Sequence, residues 1–315
     1  YLYSPDLTPI VGGRVLVPFG SQKRVGIVVD LPASSDVAKE KLKPIIDVLD
    51  AESLFNSTTW DWLAWSANYY RAALGDVLFQ ALPVKLRNGE SAVKNDRTFW
   101  RITDLGKQAL ESGELKRAKK QIEALSLLLT QDLEKGNNEI SSAIWSALKG
   151  KDYVEEIIVP TEQKSWQQAL GDNPLVNLDN RLTLNKQQAL AFSQLLFQEG
   201  FNVWLLEGVT GSGKTEIYLQ YIEEVLKKGK QVLVLVPEIG LTPQTVRRFQ
   251  ARFNVEIDVL HSNLNDTQRL NVWERARTGQ SAIVIGTRSA LFTQFSNLGL
   301  IILDEEHDGS FKQQD

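Results

Sequence analysis

Gly208, Gly211, Ser212, Gly213, Lys214 and Thr215 stand in the order Gly-x-x-Gly-Ser-Gly-Lys-Thr. That order suits the holding of phosphate. Glycines let the backbone curl until successive N–H groups point at one anion, ahead of a helix N-terminus with partial positive charge. A lysine in this place reaches β- and γ-phosphate oxygens, and the Thr215 hydroxyl takes the place of a Mg²⁺ ligand. The second such stretch, Asp304-Glu305-Glu306-His307, follows an apolar run. There Asp304 would hold Mg²⁺, mostly through water, and Glu305 could polarise an attacking water. A glycine-rich turn or a solvated acidic turn explains either stretch alone. Eight specified positions followed downstream by an acidic pair point instead to one site for a nucleoside triphosphate and Mg²⁺, with Lys214, Asp304 and Glu305 catalytic.

Such a site needs a strand before the glycine loop and a helix after it. Residues 203–206 have the length and content of a buried strand, and Ile217, Leu219, Ile222, Val225 and Leu226 recur at helical spacing. Further apolar runs at 232–236, 257–260, 283–285 and 298–303 alternate with predicted helices at 242–253 and 266–278. That alternation predicts a parallel α/β sheet over 181–315, with ligands at the carboxyl ends of its strands.

Upstream the pattern changes. Residues 1–92 read as a small β-rich domain: a hairpin from two runs at 14–18 and 24–29, and another apolar run at 41–49. A helix over 57–73, capped by Ser57 or Thr58, carries Trp62, Trp65 and Tyr69 on one stripe. A stripe of this kind can stack bases, but the core face of an amphipathic helix is the favoured account. Residues 93–160 give strand, helix (116–130, with Ile122, Leu125 and Leu129 inward), a Gly136-Asn137-Asn138 turn, helix (141–148) and strand (150–159), compatible with a winged-helix domain. Polar residues 161–180 read as a linker.

The chain has 315 residues, 43% hydrophobic and 23% charged, ordinary for a globular protein of two or three domains. Without cysteine there is neither a disulfide framework nor a thiolate metal site. No apolar run approaches a membrane span, and no signal peptide opens the chain. The start at Tyr1 and the lack of any Met suggest a piece of something longer. The net charge of −4 argues weakly against a general nucleic-acid coat. Residues 85–120 nevertheless hold ten basic side chains against five acidic ones, and 132–180 hold nine acidic against four basic. A basic block before an acidic connector suggests localised anion binding.

The Asp304–His307 box, Val236-Pro-Glu-Ile-Gly-Leu-Thr-Pro-Gln244 and Ile285-Gly-Thr-Arg-Ser-Ala-Leu-Phe292 together resemble the PriA family of primosomal replication-restart helicases, in helicase superfamily 2. Val259-Leu-His-Ser262, the tail from Asp308, Val17-Pro-Phe-Gly20 and Arg24-Val-Gly-Ile-Val-Val29 fit the same family, so the resemblance runs along essentially the whole chain. It implies an ATP-dependent 3′→5′ DNA helicase that recognises stalled forks, assembles the primosome and restarts replication in the bacterial cytoplasm at the nucleoid. It further implies that Gln188 reads adenine, that 237–242 (with Thr242) and Thr287-Arg288 grip the translocating strand, and that His307 couples hydrolysis to movement. The tail from Phe311 would open a coupling loop, whereas His261 reads as structural. Gly20 and Lys43 would belong to a pocket for the 3′ end of a nascent strand, some of whose residues lie upstream of Tyr1. Forked and single-stranded DNA, single-stranded-DNA-binding protein and primosome proteins are the implied partners. The family's second lobe and its zinc-holding cysteine-rich region are not within this sequence, so the expected fold ends in a truncated RecA-like lobe. A chain ending near Asp315 should bind DNA but hydrolyse ATP poorly. Two other readings fit: a non-catalytic fork-end reader and loading piece, and another superfamily 2 translocase.

Overall fold

The computed structural model describes residues 1–315 except 92–96, 114, 116–117, 136–139, 160–162, 197–199 and 312–315. The Gly136–Asn138 turn, Lys94, Lys116, Arg117 and the end of the coupling loop therefore lie outside the described residues. Residues Tyr1–Ala92 with Lys164–Asp315 form one compact unit, and Val93–Gln163 form another.

In the first unit, β1 (Arg14–Phe19) and β2 (Gln22–Ile27) make the antiparallel hairpin, from Arg14 opposite Ile27 to Phe19 opposite Gln22. The two-residue turn places Gly20 at φ 60°, the left-handed geometry that such hairpin turns demand and glycine adopts without strain. β3 (Asp47–Val48) joins the other edge of β1, giving the order β2-β1-β3. α1 (Ser57–Tyr70) is capped by Asn56, not by Ser57 or Thr58: the Asn56 side-chain oxygen accepts from the Thr59 N–H at 2.8 Å, from the extended backbone that an N-cap needs. The core face of α1 is Leu63 and Ala67. Trp65 sits two positions from each, about 200° around the helix, and so Trp65 and Tyr69 of the expected inward stripe face out. Trp65 and Tyr69 are 54% and 64% exposed and stack on each other at 4.9 Å, while half-buried Trp62 meets Phe292 at 5.7 Å. α2 (Leu74–Gln80) and α3 (Val84–Arg87) bury Leu78 and Leu86, and α3 packs on the helix at Asp266–Arg277.

Among its described residues, the second unit is a three-stranded antiparallel sheet with three helices. β4 (Arg97–Ile102) lies between β5 (Leu133–Glu134) and β6 (Val154–Val159). α4 (Asp104–Glu111), α5 (Lys119–Leu128) and α6 (Ser142–Lys149) cover it. Trp100 and Trp145 stack at 5.3 Å and 10° in its core. Ala124, Leu125 and Leu128 are the buried face of α5. Leu129, expected inward, is exposed, because the helix has closed at Leu128.

Residues 164–180 are not a solvated linker. α7 (Trp166–Leu170) opens on a capping box at Ser165 and buries Trp166 in the core under the parallel sheet of the first unit, and Val176 bridges to Phe253. Beyond it come α8 (Lys186–Leu196), α9 (Lys214–Lys227), β7 (Gln231–Leu235), α10 (Pro243–Arg252), β8 (Ile257–Leu260), α11 (Asp266–Arg277), β9 (Ile283–Gly286) and β10 (Leu298–Leu303). The strands form one parallel sheet in the order β10-β7-β9-β8. Alternation along β7 builds two cores. Val232 and Val234 meet Leu219, Ile222 and Phe249 of α9 and α10, whereas Leu233 and Leu235 meet Val272 and Ala276 of α11.

One expected strand does not form. Residues 201–209 carry no strand, with Val203 and Leu205 82% and 74% exposed. An apolar run becomes a buried strand only where a neighbouring ladder takes its backbone groups. Among the described residues β10 pairs with β7 alone, and its Ile301 and Leu303 stay exposed.

Under α9 runs a buried polar link. Arg252 donates to Glu216 at 2.9 Å and to the Asn180 carbonyl at 2.7 Å, and Gln220 donates to the same Glu216 oxygen at 2.8 Å. The side chains of Arg252 and Glu216 are 1% and 9% exposed. Removing one partner strands a charge in the interior, so Arg252→Leu is expected to cost about 3–5 kcal/mol in urea denaturation. A cost below about 1 kcal/mol, the range of a surface pair, would show that the link is not closed in solution.

Candidate nucleotide site

The glycine loop takes its shape from two left-handed residues. Gly211 and Gly213 have φ of 81° and 82°, and Ser212 N–H turns back onto the Val209 carbonyl at 3.1 Å. Gly213 is also the N-cap of α9, and a side chain there would overlap the Gln188 amide. Lys214 opens the helix and curls over the loop, donating to the carbonyls of Gly208 at 2.6 Å and Val209 at 3.4 Å. A lysine ammonium at a helix N-terminus suits an anion once it exchanges these carbonyls for the ligand's oxygens.

Gln188 belongs to the same assembly. It forms a reciprocal cap with Asn185 (both bonds 2.9 Å) and donates to the Ser212 carbonyl at 2.8 Å. Both ends of its amide are engaged, and reading adenine requires it to exchange one of these bonds. Gln188 thus clamps α8 to the loop, a role for which its own stretch of sequence carries no signal.

Asp304 arrives from the opposite direction, at the carboxyl end of β10, with its N–H on the Leu235 carbonyl at 2.9 Å. Its Oδ2 accepts from the Tyr218 hydroxyl at 3.1 Å, and Tyr218 stands one helical turn after Lys214 on α9, with Thr215 facing the same phenol. Burial first, and then the neighbouring Asp304 charge, push the Tyr218 phenol far above the ordinary tyrosine range, so it stays a donor. The two expected Mg²⁺ ligands, Thr215 and Asp304, are thereby brought to one phenol. One hydroxyl and one carboxylate suit a cation that takes the rest of its shell from phosphate and water. Glu305 follows at φ 52°, a left-handed backbone that costs a non-glycine residue of order 1–3 kcal/mol and concentrates at functional sites. His307 is not buried: it is 76% exposed and sits 3.6 Å from Glu305.

The expected strand-gripping residues follow β7 and β9, neighbours in the sheet. Thr242, beyond β7, caps α10 by accepting from Thr245 N–H at 3.2 Å, and Thr287 and exposed Arg288 follow β9. Gly20 and Lys43 lie elsewhere. Gly20 lies in the β1–β2 turn, and the Lys43 carbonyl accepts from the Leu2 N–H at 2.9 Å. The Tyr1 hydroxyl donates to the Pro18 carbonyl and Leu2 bridges to Pro44.

Sequence reasoning misses Tyr218 because it sits among Ile217, Leu219 and Ile222 and reads as packing. The available signal is a tyrosine, with a polar tip, one turn from the loop lysine on a helix otherwise apolar toward the sheet.

Comparison with known proteins agrees with this layout. Residues 1–83 match the 3′ DNA-binding domain of PriA, and residues 185–315 match the DEAD/DEAH box helicase family. The replication restart protein PriA of Haemophilus influenzae is 76% identical over 315 residues, covering 100% of this chain and 43% of the relative. Those of Synechocystis and Buchnera aphidicola are 35% and 34% identical over 99% of this chain, and 46% and 42% of theirs. The chain thus spans less than half the length of these relatives. With matches to a 3′ DNA-binding domain and a DEAD/DEAH box helicase domain, and a parallel sheet whose β10 runs into the Asp304–His307 box, the chain belongs to the PriA family of replication restart proteins.

Proposed function

We propose that the chain is the fork-recognising and nucleotide-binding part of an ATP-dependent 3′→5′ DNA helicase that restarts stalled replication forks and promotes primosome assembly. The observation that carries this is the meeting of Asp304, at the end of β10, with Tyr218 and Thr215 on the helix that Lys214 opens. ATP with Mg²⁺ supplies a transferable phosphoryl group when bound. Lys214 would neutralise the β- and γ-phosphates, Gly208, Gly211, Ser212 and Gly213 would cradle them, and Thr215 and Asp304 would hold the ion. Glu305 would accept a proton from water, and His307 beside it would pass the state of the site to the DNA face. Gln188 would test for adenine. Thr242, Thr287 and Arg288 would hold the backbone of a single strand without reading sequence. Residues 93–160 serve as a winged-helix domain on duplex DNA, and Gly20 with Lys43 receive a 3′ end. Single-stranded-DNA-binding protein and primosome proteins are the partners that this reading implies, in the bacterial cytoplasm. No helix among the described residues is long and apolar enough to cross a membrane, and no zinc-ligand cluster is assembled among them.

The test is fluorescence anisotropy with forks whose nascent 3′ end is free or phosphate-blocked, at matched salt. The expected result is a preference of about fivefold for the free end, roughly one hydrogen bond's worth, abolished by Lys43→Ala. Equal affinity for both forks rejects the end-reading role. A second reading, a non-catalytic fork-end reader, is favoured by one observation: the segment before the glycine loop is exposed and forms no strand. DNA-stimulated ATP turnover by the chain itself rejects that one.

A further inference from the structure

Tyr218 is a partly buried side chain that touches the proposed nucleotide site without a part in the chemistry above. Its ring is packed rather than free: it stacks on Phe249 of α10 at 6.4 Å and 22°. Its hydroxyl donates to one oxygen of Asp304 at 3.1 Å. A carboxylate at the end of an edge strand rotates freely unless something fixes it, and a bond to Oδ2 from a rigid ring leaves Oδ1 directed elsewhere in a single orientation. Metal ligands are commonly held by such outer partners, which set their orientation and affinity.

We propose that Tyr218 is a positioning residue for the Mg²⁺–nucleotide complex: anchored on Phe249, its hydroxyl fixes the Asp304 carboxylate opposite Thr215 in the orientation that receives the ion. The inference rests on the nucleotide reading of Lys214, Thr215 and Asp304 and adds to it a group on the P-loop helix. Phe249 also belongs to the helix capped by Thr242, so the same ring connects the carboxylate to an element of the proposed DNA face.

The experiment is Mg²⁺-titrated binding of a fluorescent ATP analogue to the chain, for wild type, Tyr218→Phe, Asp304→Asn and the double variant. Tyr218→Phe keeps the ring and its stacking, and the thermal midpoint reports whether the variant is folded. The Mg²⁺ concentration for half-maximal binding should rise roughly tenfold, the lower end of the losses seen when an outer partner of a metal ligand is removed. Affinity without Mg²⁺ should be unchanged, a split that a merely structural role would not produce. In the Asp304→Asn background the added Tyr218→Phe should have no effect. An unchanged Mg²⁺ midpoint, or equal losses with and without Mg²⁺, overturns the inference while leaving the nucleotide site intact. Failure of the wild-type chain to bind the analogue at all overturns both.

Discussion

Lys214→Ala is expected to lower the affinity of the chain for ATP by roughly 100-fold and to leave fork binding unchanged. The Lys214 ammonium reaches two carbonyls of its own loop, so it is long enough and free enough to reach two phosphate oxygens instead. Each hydrogen bond from a charged group contributes about 1.5–3 kcal/mol, and two at the lower end give about 3 kcal/mol, or roughly 100-fold. The other donors that the loop offers are backbone N–H groups, which carry no full charge. On the proposed reading, fork binding would rest on Arg288, the Thr242 segment and the β2-β1-β3 sheet, none of which includes Lys214. Isothermal titration with ATP and anisotropy with a fork at the same salt measure the two separately. An equal loss of fork affinity would contradict the separation of the sites.

Arg14→Leu is expected to be among the most destabilising single substitutions in the N-terminal part. Arg14 is fully buried, and its guanidinium is surrounded by acceptors. Its Nε and Nη2 meet the two Asp50 oxygens at 2.7 Å each, and its Nη1 meets the Leu86 carbonyl at 2.6 Å and the Glu90 carbonyl at 2.8 Å. A single guanidinium therefore joins β1, the segment after β3 and the end of α3. Leucine fills much of the volume and keeps the hydrogen bond from the residue-14 N–H to Asp50 at 2.9 Å, but leaves the Asp50 carboxylate, 8% exposed, without its countercharge and two carbonyls without their donor. Breaking a buried pair from one side costs about 3–5 kcal/mol. In a unit of this size that is a fall in Tm of roughly 6–20 °C, at about 2–4 °C per kcal/mol. Differential scanning calorimetry decides it. A fall of only a degree or two would mean that water reaches Asp50 and the pair is not dry.

These two residues differ in how far their neighbours along the chain reveal them. Lys214 is legible because its meaning is local: glycines, a lysine and a threonine at fixed offsets describe a backbone shape and a charge within eight residues. The same holds for the hairpin at 14–27 and for the apolar alternation that became β7, β8, β9 and β10. Arg14 carries no such signal, because its partners lie 36, 72 and 76 residues away. Periodicity also misleads where a neighbour matters. The Trp65–Tyr69 stripe has helical spacing, but Leu63 and Ala67 face the core. Residues 203–206 have strand composition, but among the described residues no ladder takes up their backbone groups. Residues 164–180 are polar enough to read as a linker, yet Trp166 and Val176 close the helicase core.

The sequence by itself determined which atoms the site contains: the nest of the glycine loop, the ammonium, the hydroxyl and the acidic pair. Composition and local spacing specify chemistry because they act over one turn of chain. Tertiary structure alone decided how those atoms meet. Parallel pairing of β10 with β7 brings Asp304 to α9, where a tyrosine that reads as core packing receives it across a separation of 86 residues. Such a meeting is set by the register of one sheet and the packing of one helix against it, and no window of neighbouring residues contains it.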